Sequence, residues 1–230
     1  MKHAAKKLFK HMPYYTVLEA LKTAKGCALC ELEAKAMHRH LDNLLYENVN
    51  DVGVRGDLAR SRGYCPRHAH MLAGFQDGLG TAILYQDQVR LFLRFLGQLQ
   101  GMMAKVLSKN VQRQWGLHDV CPACRNELQT RQGHVSTLVE ALSEADMRQA
   151  FSASAGLCVH HFLAVLQKAD DAKSRQFLLS VQEQKFKDLL RDLREFCRKH
   201  DYRFVKDGFG KEKDSWQRAI NMMTGLKDVF

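Results

Sequence analysis

The sequence predicts an all-α protein built by tandem duplication, in which a long helix closes each repeat and the repeats form a helical bundle. Apolar residues recur at helical spacing through most of the 230 residues, and no segment alternates strictly as a half-buried strand does. Only 3 prolines interrupt the chain, which permits long helices. One cysteine and histidine pattern also occurs twice: Cys27-x2-Cys30 and Cys65-x2-His68, then Cys121-x2-Cys124 and Cys158-x2-His161.

The two copies are almost in register. A shift of 94 residues superposes the CxxC pairs, and a shift of 93 superposes the CxxH pairs. This register predicts five segments: a basic N-terminal segment and helix (1–26), a first Cys3His helical unit (27–111), a linker (112–120), a second Cys3His unit (121–200), and a C-terminal loop and helix (201–230).

The helices of each unit are predicted in the same order. Apolar spacing and Gly or Pro boundaries predict, in the first unit, helices over 27–48, 51–62, from Pro66, and over 79–110. In the second unit they predict helices over 122–142, 145–153, 158–166 and 172–200. A last helix contains Trp216, Ile220 and Met223.

The long helix of the first unit carries a heptad seam, spaced 4 and 3 alternately: Tyr85, Val89, Phe92, Leu96, Leu99, Met103 and Val106. Extra apolar neighbours widen the seam, which favours a bundle core over a separate coiled-coil interface. The late helix carries a similar stripe: Leu179, Phe186, Leu189, Leu193 and Phe196. Cys197, which belongs to neither repeat, is expected to be a small buried side chain on that stripe.

Three thiols and an imidazole per repeat suit a metal ion, because zinc prefers four sulfur or nitrogen ligands in a tetrahedron. We therefore expect each repeat to hold one Cys3His site. The expected ligands are Cys27, Cys30, Cys65 and His68, and then Cys121, Cys124, Cys158 and His161. All four pairs fall at predicted helix N-termini, where free amide groups and the helix dipole favour thiolates.

The metal and one ligand in each set stay open at this point. Zinc is favoured, while an iron–sulfur cluster is the alternative, because cysteine clusters bind both. His68 and His161 coincide in the repeat alignment and are the preferred ligands. Their neighbours His70 and His160 have no counterparts and are expected to be exposed or to lie around the site.

These residues resemble an uncharacterised prokaryotic family of helical proteins with duplicated CxxC and CxxH units. The resemblance rests on Cys27-Ala28-Leu29-Cys30-Glu31-Leu32-Glu33, Tyr46-Glu47-Asn48-Val49-Asn50-Asp51, Arg55, Gly63-Tyr64-Cys65-Pro66-Arg67-His68, the second-repeat motifs and Trp216. It implies two metal sites on a helical fold and implies no activity.

Three functions are consistent with the sequence. The first is a scaffold with two structural zinc sites that contacts an unidentified protein partner, with a homodimer as one form. The second is nucleic-acid binding, since the net charge is +10 and basic residues cluster in the first half: Lys2, Lys6, Lys7, Lys10, Lys22, Lys25, Arg55, Arg60, Arg62 and Arg67. The third is an iron–sulfur redox or sensor protein.

Catalysis is less favoured, and no catalytic residue is predicted. The sequence has no phosphate loop, dinucleotide fingerprint or nucleophile–base motif, and a fully protein-ligated Cys3His zinc has no position for a reacting water. Glu47, Asp51 and Arg55 are better explained by helix capping and an ion pair than by a pocket. With no apolar leader or transmembrane run, we expect a cytoplasmic protein without membrane contact.

Overall fold

The computed structural model describes residues 11–100, 111–116 and 118–230, and over these residues the chain is helical with no strand. The all-α prediction is confirmed. The α-helices are α1 (Met12–Thr23), α2 (Ala28–Asn43), α3 (Val52–Ser61), α4 (Pro66–Ala73), α5 (Gly78–Gln100), α6 (Pro122–Ala141), α7 (Ala145–Ala153), α8 (Val159–Lys168), α9 (Ala172–Lys199) and α10 (Ser215–Thr224). A π-helical turn, Leu44–Asn48, follows α2, and 3₁₀ turns cover Tyr202–Asp207 and Lys211–Asp214.

Residues 111–116 are also helical. Lys2, Lys6, Lys7, Lys10, Met103 and Val106, together with the predicted end of the long helix at 110, lie outside the described residues. None of the described helices is long and apolar enough to cross a membrane.

The chain forms two compact units whose limits differ from those of the sequence repeats. One comprises Met1–Ala34 and Thr130–Phe230, and we call it the discontinuous unit; the other, Lys35–Gln129, is the continuous unit. The boundaries therefore fall inside α2 and α6, the two helices that begin with the CxxC pairs.

The discontinuous unit has its own core. Tyr14, Leu138, Phe151 and Leu178 are among its fully buried side chains. α1 packs on α7, and α10 packs on α8 and α9. The core is completed by a buried amide: Gln182 of α9 accepts a hydrogen bond from the Leu157 amide at 3.1 Å and donates to the Leu157 carbonyl at 2.7 Å.

The continuous unit packs α3 and α4 against α5. Its core contains Leu41, Leu58, Leu72 and Leu84, together with parts of the cysteine cluster described below. Asp51 caps α3 by accepting from the Val54 amide at 2.8 Å, and Arg55 pairs with Asp87 at 2.6 Å. Capping and an ion pair thus explain these two polar residues, as expected.

Three burial predictions are wrong. Among the described seam residues of α5, Val89, Phe92 and Leu96 are exposed, because the buried residues of α5, Gly80 and Leu84, lie in its first two turns. Leu179 is exposed, since Leu178 and Gln182 face the core instead. Cys197 is exposed as well.

Candidate metal centres

All eight expected ligands assemble into two compact groups, but each group joins the CxxC pair of one repeat to the CxxH pair of the other. Site A contains Cys27, Cys30, Cys158 and His161; site B contains Cys65, His68, Cys121 and Cys124. Site A belongs to the discontinuous unit and site B to the continuous unit. The expectation that each repeat holds its own four ligands is therefore corrected.

Helix lengths explain the exchange of partners. The 16 residues of α2 and the 5 of the following π turn carry the chain about 30 Å from Cys27 at helical rise. The 10 residues of α3 span only about 15 Å, half of that length. α3 alone is therefore too short to carry Cys65 back to Cys27. The 20-residue α6 and 9-residue α7 have the same imbalance, so Cys158 does not return to Cys121.

Each ligand pair occupies the same two positions at a helix N-terminus. The first residue of each pair immediately precedes a helix, and the second is the third helical residue. The carbonyls of Cys27, Cys65, Cys121 and Cys158 each accept a hydrogen bond from the amide four residues later, at 2.8–3.2 Å. Each site thus lies between two helix N-termini, whose dipoles stabilise the negative charge of thiolates.

The distances between ligand atoms match those around a single tetrahedral ion. Zn–S and Zn–N bonds of about 2.3 and 2.0 Å require S···S separations of about 3.8 Å and S···N separations of about 3.5 Å. In site A, the Cys30 and Cys158 sulfurs are 3.6 Å apart, and His161 Nδ1 lies 3.3–3.4 Å from the three sulfurs.

Site B has nearly the same dimensions. The sulfurs of Cys65 and Cys124 are 3.6 Å apart, and His68 Nδ1 lies 3.3–3.8 Å from the three sulfurs. In each site the four ligand atoms all lie within 4.8 Å of one another. The donor set and its spacing therefore fit one ion of zinc's size per site.

The two sites differ in exposure. All four ligands of site A are buried, whereas Cys65 and Cys124 of site B are partly exposed. The C-terminal segment contributes to the closure of site A. The Phe230 ring lies 5.0 Å from the His161 ring, measured between centroids. Gly225 lies against the same Phe230 ring: its φ is +85°, which glycine tolerates, and a β-carbon at this position would be 2.5 Å from the ring.

A buried carboxylate orients the histidine of site A. Glu33 Oε1 lies 2.6 Å from His161 Nε2, so that Nδ1 faces the three sulfurs. Arg131 holds the same carboxylate through Nε at 3.0 Å and Nη2 at 2.8 Å, and also donates to the Val229 carbonyl at 2.9 Å. Such a carboxylate fixes the tautomer and ring orientation of a metal-binding histidine.

The counterpart in site B is looser. Glu127 lies 3.9 Å from His68 Nε2, beyond hydrogen-bonding distance, and pairs mainly with Arg67. Neither carboxylate was predicted as a site residue. The signal was present, because Glu33 and Glu127 each follow the second cysteine by three residues and superpose on the same 94-residue shift as the CxxC pairs.

The pKa values of the metal-free ligands follow their surroundings. Burial, with a smaller contribution from Arg67, lowers the pKa of His68 to about 4, so this imidazole is neutral. Burial opposes the charge on His161 too, but hydrogen bonds with Cys158, Cys27 and Glu33 prevail and raise its pKa to about 11. Burial raises the pKa of Cys124 to about 12, with a further contribution from the adjacent Cys65 sulfur. A bound metal ion would displace these protons, since it coordinates thiolates and neutral imidazole.

The neighbouring histidines are not brought into either group. His70 and His160 are exposed, and His160 stacks on Phe230 with ring centroids 4.4 Å apart. His38 is exposed and contacts Phe75. Cys197 belongs to neither group.

Comparison with known proteins agrees with the resemblance. No solved structure matches the chain significantly. A curated relative, described as an "Uncharacterized 23.9 kDa protein in xynA 3'region" of Caldicellulosiruptor sp. (strain Rt8B.4), is 30% identical over 207 residues, which cover 87% of this chain and 96% of that protein. Residues 10–229 match the family described as "Family of unknown function (DUF6062)", and the chain belongs to that family.

Proposed function

We propose that this protein is a cytoplasmic zinc-binding scaffold, in which two structural Cys3His zinc ions each hold together one compact unit. The supporting observation is the grouping of four ligand atoms within 4.8 Å of one another at each site, as four protein ligands of one tetrahedral ion require. A zinc ion bound in this way has no open coordination position, so its role is to stabilise the fold rather than to activate water.

A single ion fits the sites better than an iron–sulfur cluster. Cluster ligands bind different iron atoms, so their sulfurs must be separated by the width of the cluster. The ligand atoms within 4.8 Å of one another leave space for one ion only. Soft thiolate ligands with imidazole in tetrahedral geometry favour zinc among divalent ions.

Metal analysis of protein purified without oxygen tests this proposal. We expect two zinc ions per chain, no visible absorption, and loss of helical structure when a strong chelator removes the metal. Iron in excess of zinc, with acid-labile sulfide and visible absorption, would contradict the proposal and favour the redox or sensor function.

The interaction role is proposed for the exposed apolar side of α5. Val89, Phe92, Leu93 and Leu96 are 58%, 43%, 60% and 38% exposed and lie on neighbouring turns. They include three members of the heptad seam, a pattern that normally packs against another helix. The residues that flank this seam are uncharged, among them Gln86, Gln88 and Gln100, so no repulsion opposes α5 of a second copy. We therefore propose a homodimer formed through this side of α5.

Light scattering during size-exclusion chromatography tests the dimer. We expect the wild-type protein to have twice the chain mass and Leu93→Glu to be monomeric with unchanged zinc content. Leu128→Glu is the matched control, because Leu128 is 51% exposed in the same unit but lies on α6. A wild-type monomer at high concentration, or an unchanged dimer in Leu93→Glu, would refute this interface.

Nucleic-acid binding receives less support. Each arginine of the basic cluster has an intramolecular partner: Arg55 pairs with Asp87, Arg60 with Asp57, and Arg67 with Glu127. Arg62 stacks on Trp115 at 4.1 Å. Guanidinium groups engaged in this way are less available for phosphates, and we make this the second candidate only.

A further inference from the structure

Site B carries two features that site A lacks, and both concern the chemistry of its sulfur atoms. Cys65 and Cys124 are partly exposed, whereas the three cysteines of site A are buried. In addition, the Arg67 guanidinium lies at this site: its Nη2 is 3.4 Å from His68 Nε2, and it interacts electrostatically with the Cys124 sulfur. Accessible thiolates beside a cation are the ones that oxidants attack most readily.

The sulfurs of these two partly exposed cysteines are also placed to react with each other. They are 3.6 Å apart, so a shift of about 1.6 Å brings them to the length of a disulfide bond. Site A contains a pair with the same 3.6 Å separation, Cys30 and Cys158, but this pair is 0% exposed. The two pairs therefore differ in their exposure to solvent and not in the distance between their sulfurs.

We infer that site B is an oxidative modification site, at which a hydroperoxide converts the Cys65 and Cys124 thiolates to a disulfide and releases the metal ion. The inference rests on the proposed zinc occupancy. It assigns different roles to the two sites: site A is a permanent structural centre, and site B responds to oxidants.

The reaction is a two-electron oxidation. The Cys124 thiolate attacks one peroxide oxygen, the S–O bond forms as the O–O bond breaks, and the leaving oxygen departs as water after taking up a proton, assisted by hydrogen bonding from Arg67. The Cys65 thiolate then attacks the sulfenic sulfur, forming the S–S bond and expelling a second water. Two thiolates, one hydrogen peroxide molecule and two protons thus give one disulfide and two water molecules. Only Cys121 and His68 would remain at site B to hold a zinc ion.

The experiment treats the full, zinc-loaded chain with hydrogen peroxide. A chromogenic chelator measures zinc release, while alkylation of free thiols and peptide mass spectrometry identify the linked cysteines. We expect one zinc ion per chain to leave quickly with formation of the Cys65–Cys124 disulfide, and the second to remain. A thiol reductant with added zinc should restore two ions per chain.

Two substitutions give a matched comparison. Arg67→Gln removes the guanidinium beside Cys124. It should slow peroxide-driven zinc release about tenfold, which corresponds to the loss of one hydrogen bond to a charged group. Arg125→Gln removes a nearby cation that pairs with Asp57 at 3.8 Å and contacts no thiol in the described structure. It should leave the rate unchanged.

The outcomes separate the two proposals. Absence of zinc before oxidation would refute the proposed function. Two bound zinc ions that leave at equal rates, release of site A first, a Cys121–Cys124 disulfide, or equal rates for the Arg67→Gln and wild-type proteins would each refute the oxidation mechanism alone.

Discussion

The sharpest test of the metal-centre geometry compares Glu33→Gln with Glu127→Gln. The two glutamates occupy equivalent positions after their CxxC pairs, but their distances to the histidines differ. Glu33 accepts from His161 Nε2 at 2.6 Å, whereas Glu127 lies 3.9 Å from His68 Nε2. Because glutamine retains the size of the side chain and removes its charge, the pair isolates the electrostatic contribution of each carboxylate.

The expected magnitude follows from these distances. Loss of a carboxylate that orients a metal-binding histidine weakens metal affinity by about 10 to 100-fold, equivalent to about 1.4–2.7 kcal/mol. We expect this range for Glu33→Gln at site A, since the buried carboxylate is 2% exposed and water cannot replace it. At site B we expect Glu127→Gln to weaken zinc binding by less than about fivefold, because Glu127 lies 3.9 Å from His68 Nε2, beyond hydrogen-bonding distance.

The assay is a titration with a competing chelator, followed by alkylation of the cysteines that have lost zinc. Peptide mapping then assigns each release step to site A or site B. Equal losses of affinity for Glu33→Gln and Glu127→Gln would contradict the proposed difference. A loss of zinc affinity at site B caused by Glu33→Gln would contradict it as well.

Three further predictions concern ligand pairing, pH and the core. Cys158→Ala should expose Cys27 to alkylation and leave Cys121 protected. If Cys27 stayed protected and Cys121 became alkylated instead, the ligand pairs would belong to the same repeat after all. Zinc affinity should fall as pH is lowered, roughly tenfold per pH unit for each proton that zinc displaces, and chelator competition at two pH values measures this slope. Leu138→Ala, at a 0% exposed core position, should reduce the free energy of unfolding by about 2–5 kcal/mol, whereas Leu128→Ala at a 51% exposed position should change it little; denaturant titration of both variants decides this.

The sequence was sufficient to predict the helices and the ligand types because both depend on local patterns. Cysteine and histidine pairs at positions 1 and 4 of a motif fit a helix N-terminus wherever it packs, and Pro66 and Pro122 mark two of those starts. The pairing of motifs is a long-range property, and the near-equal spacing of the repeats suggested the wrong partners. The unequal helix lengths on either side of Asp51 were a signal against within-repeat pairing, since a helix of about 15 Å does not retrace one of about 30 Å.

The seam of α5 shows the other limit of sequence patterns. Val89, Phe92 and Leu96 have the spacing of a helix that packs against a helix, and this spacing is the same whether the partner belongs to the same chain or to another. The sequence therefore predicted that these residues need a partner and left open whether the partner lies in the same chain or in a second copy; in this chain the three residues are exposed.

The exchange of ligand pairs places one metal-closed loop inside the other. Cys30 and Cys158 of site A are 128 residues apart. Cys65 and Cys124 of site B, which are 59 residues apart, lie within that interval. Closure of site B therefore roughly halves the flexible loop that site A must close, a gain of about 0.6 kcal/mol, or less than threefold in zinc affinity. The chain entropy that links the sites is thus small, and release of zinc from site B should leave site A occupied.

We expect a Cys65→Ser/Cys124→Ser double variant to bind zinc at site A within about threefold of the wild-type affinity. A loss of more than tenfold, measured by chelator competition, would mean that the sites are coupled through packing, and site B could not then respond to oxidants independently of site A.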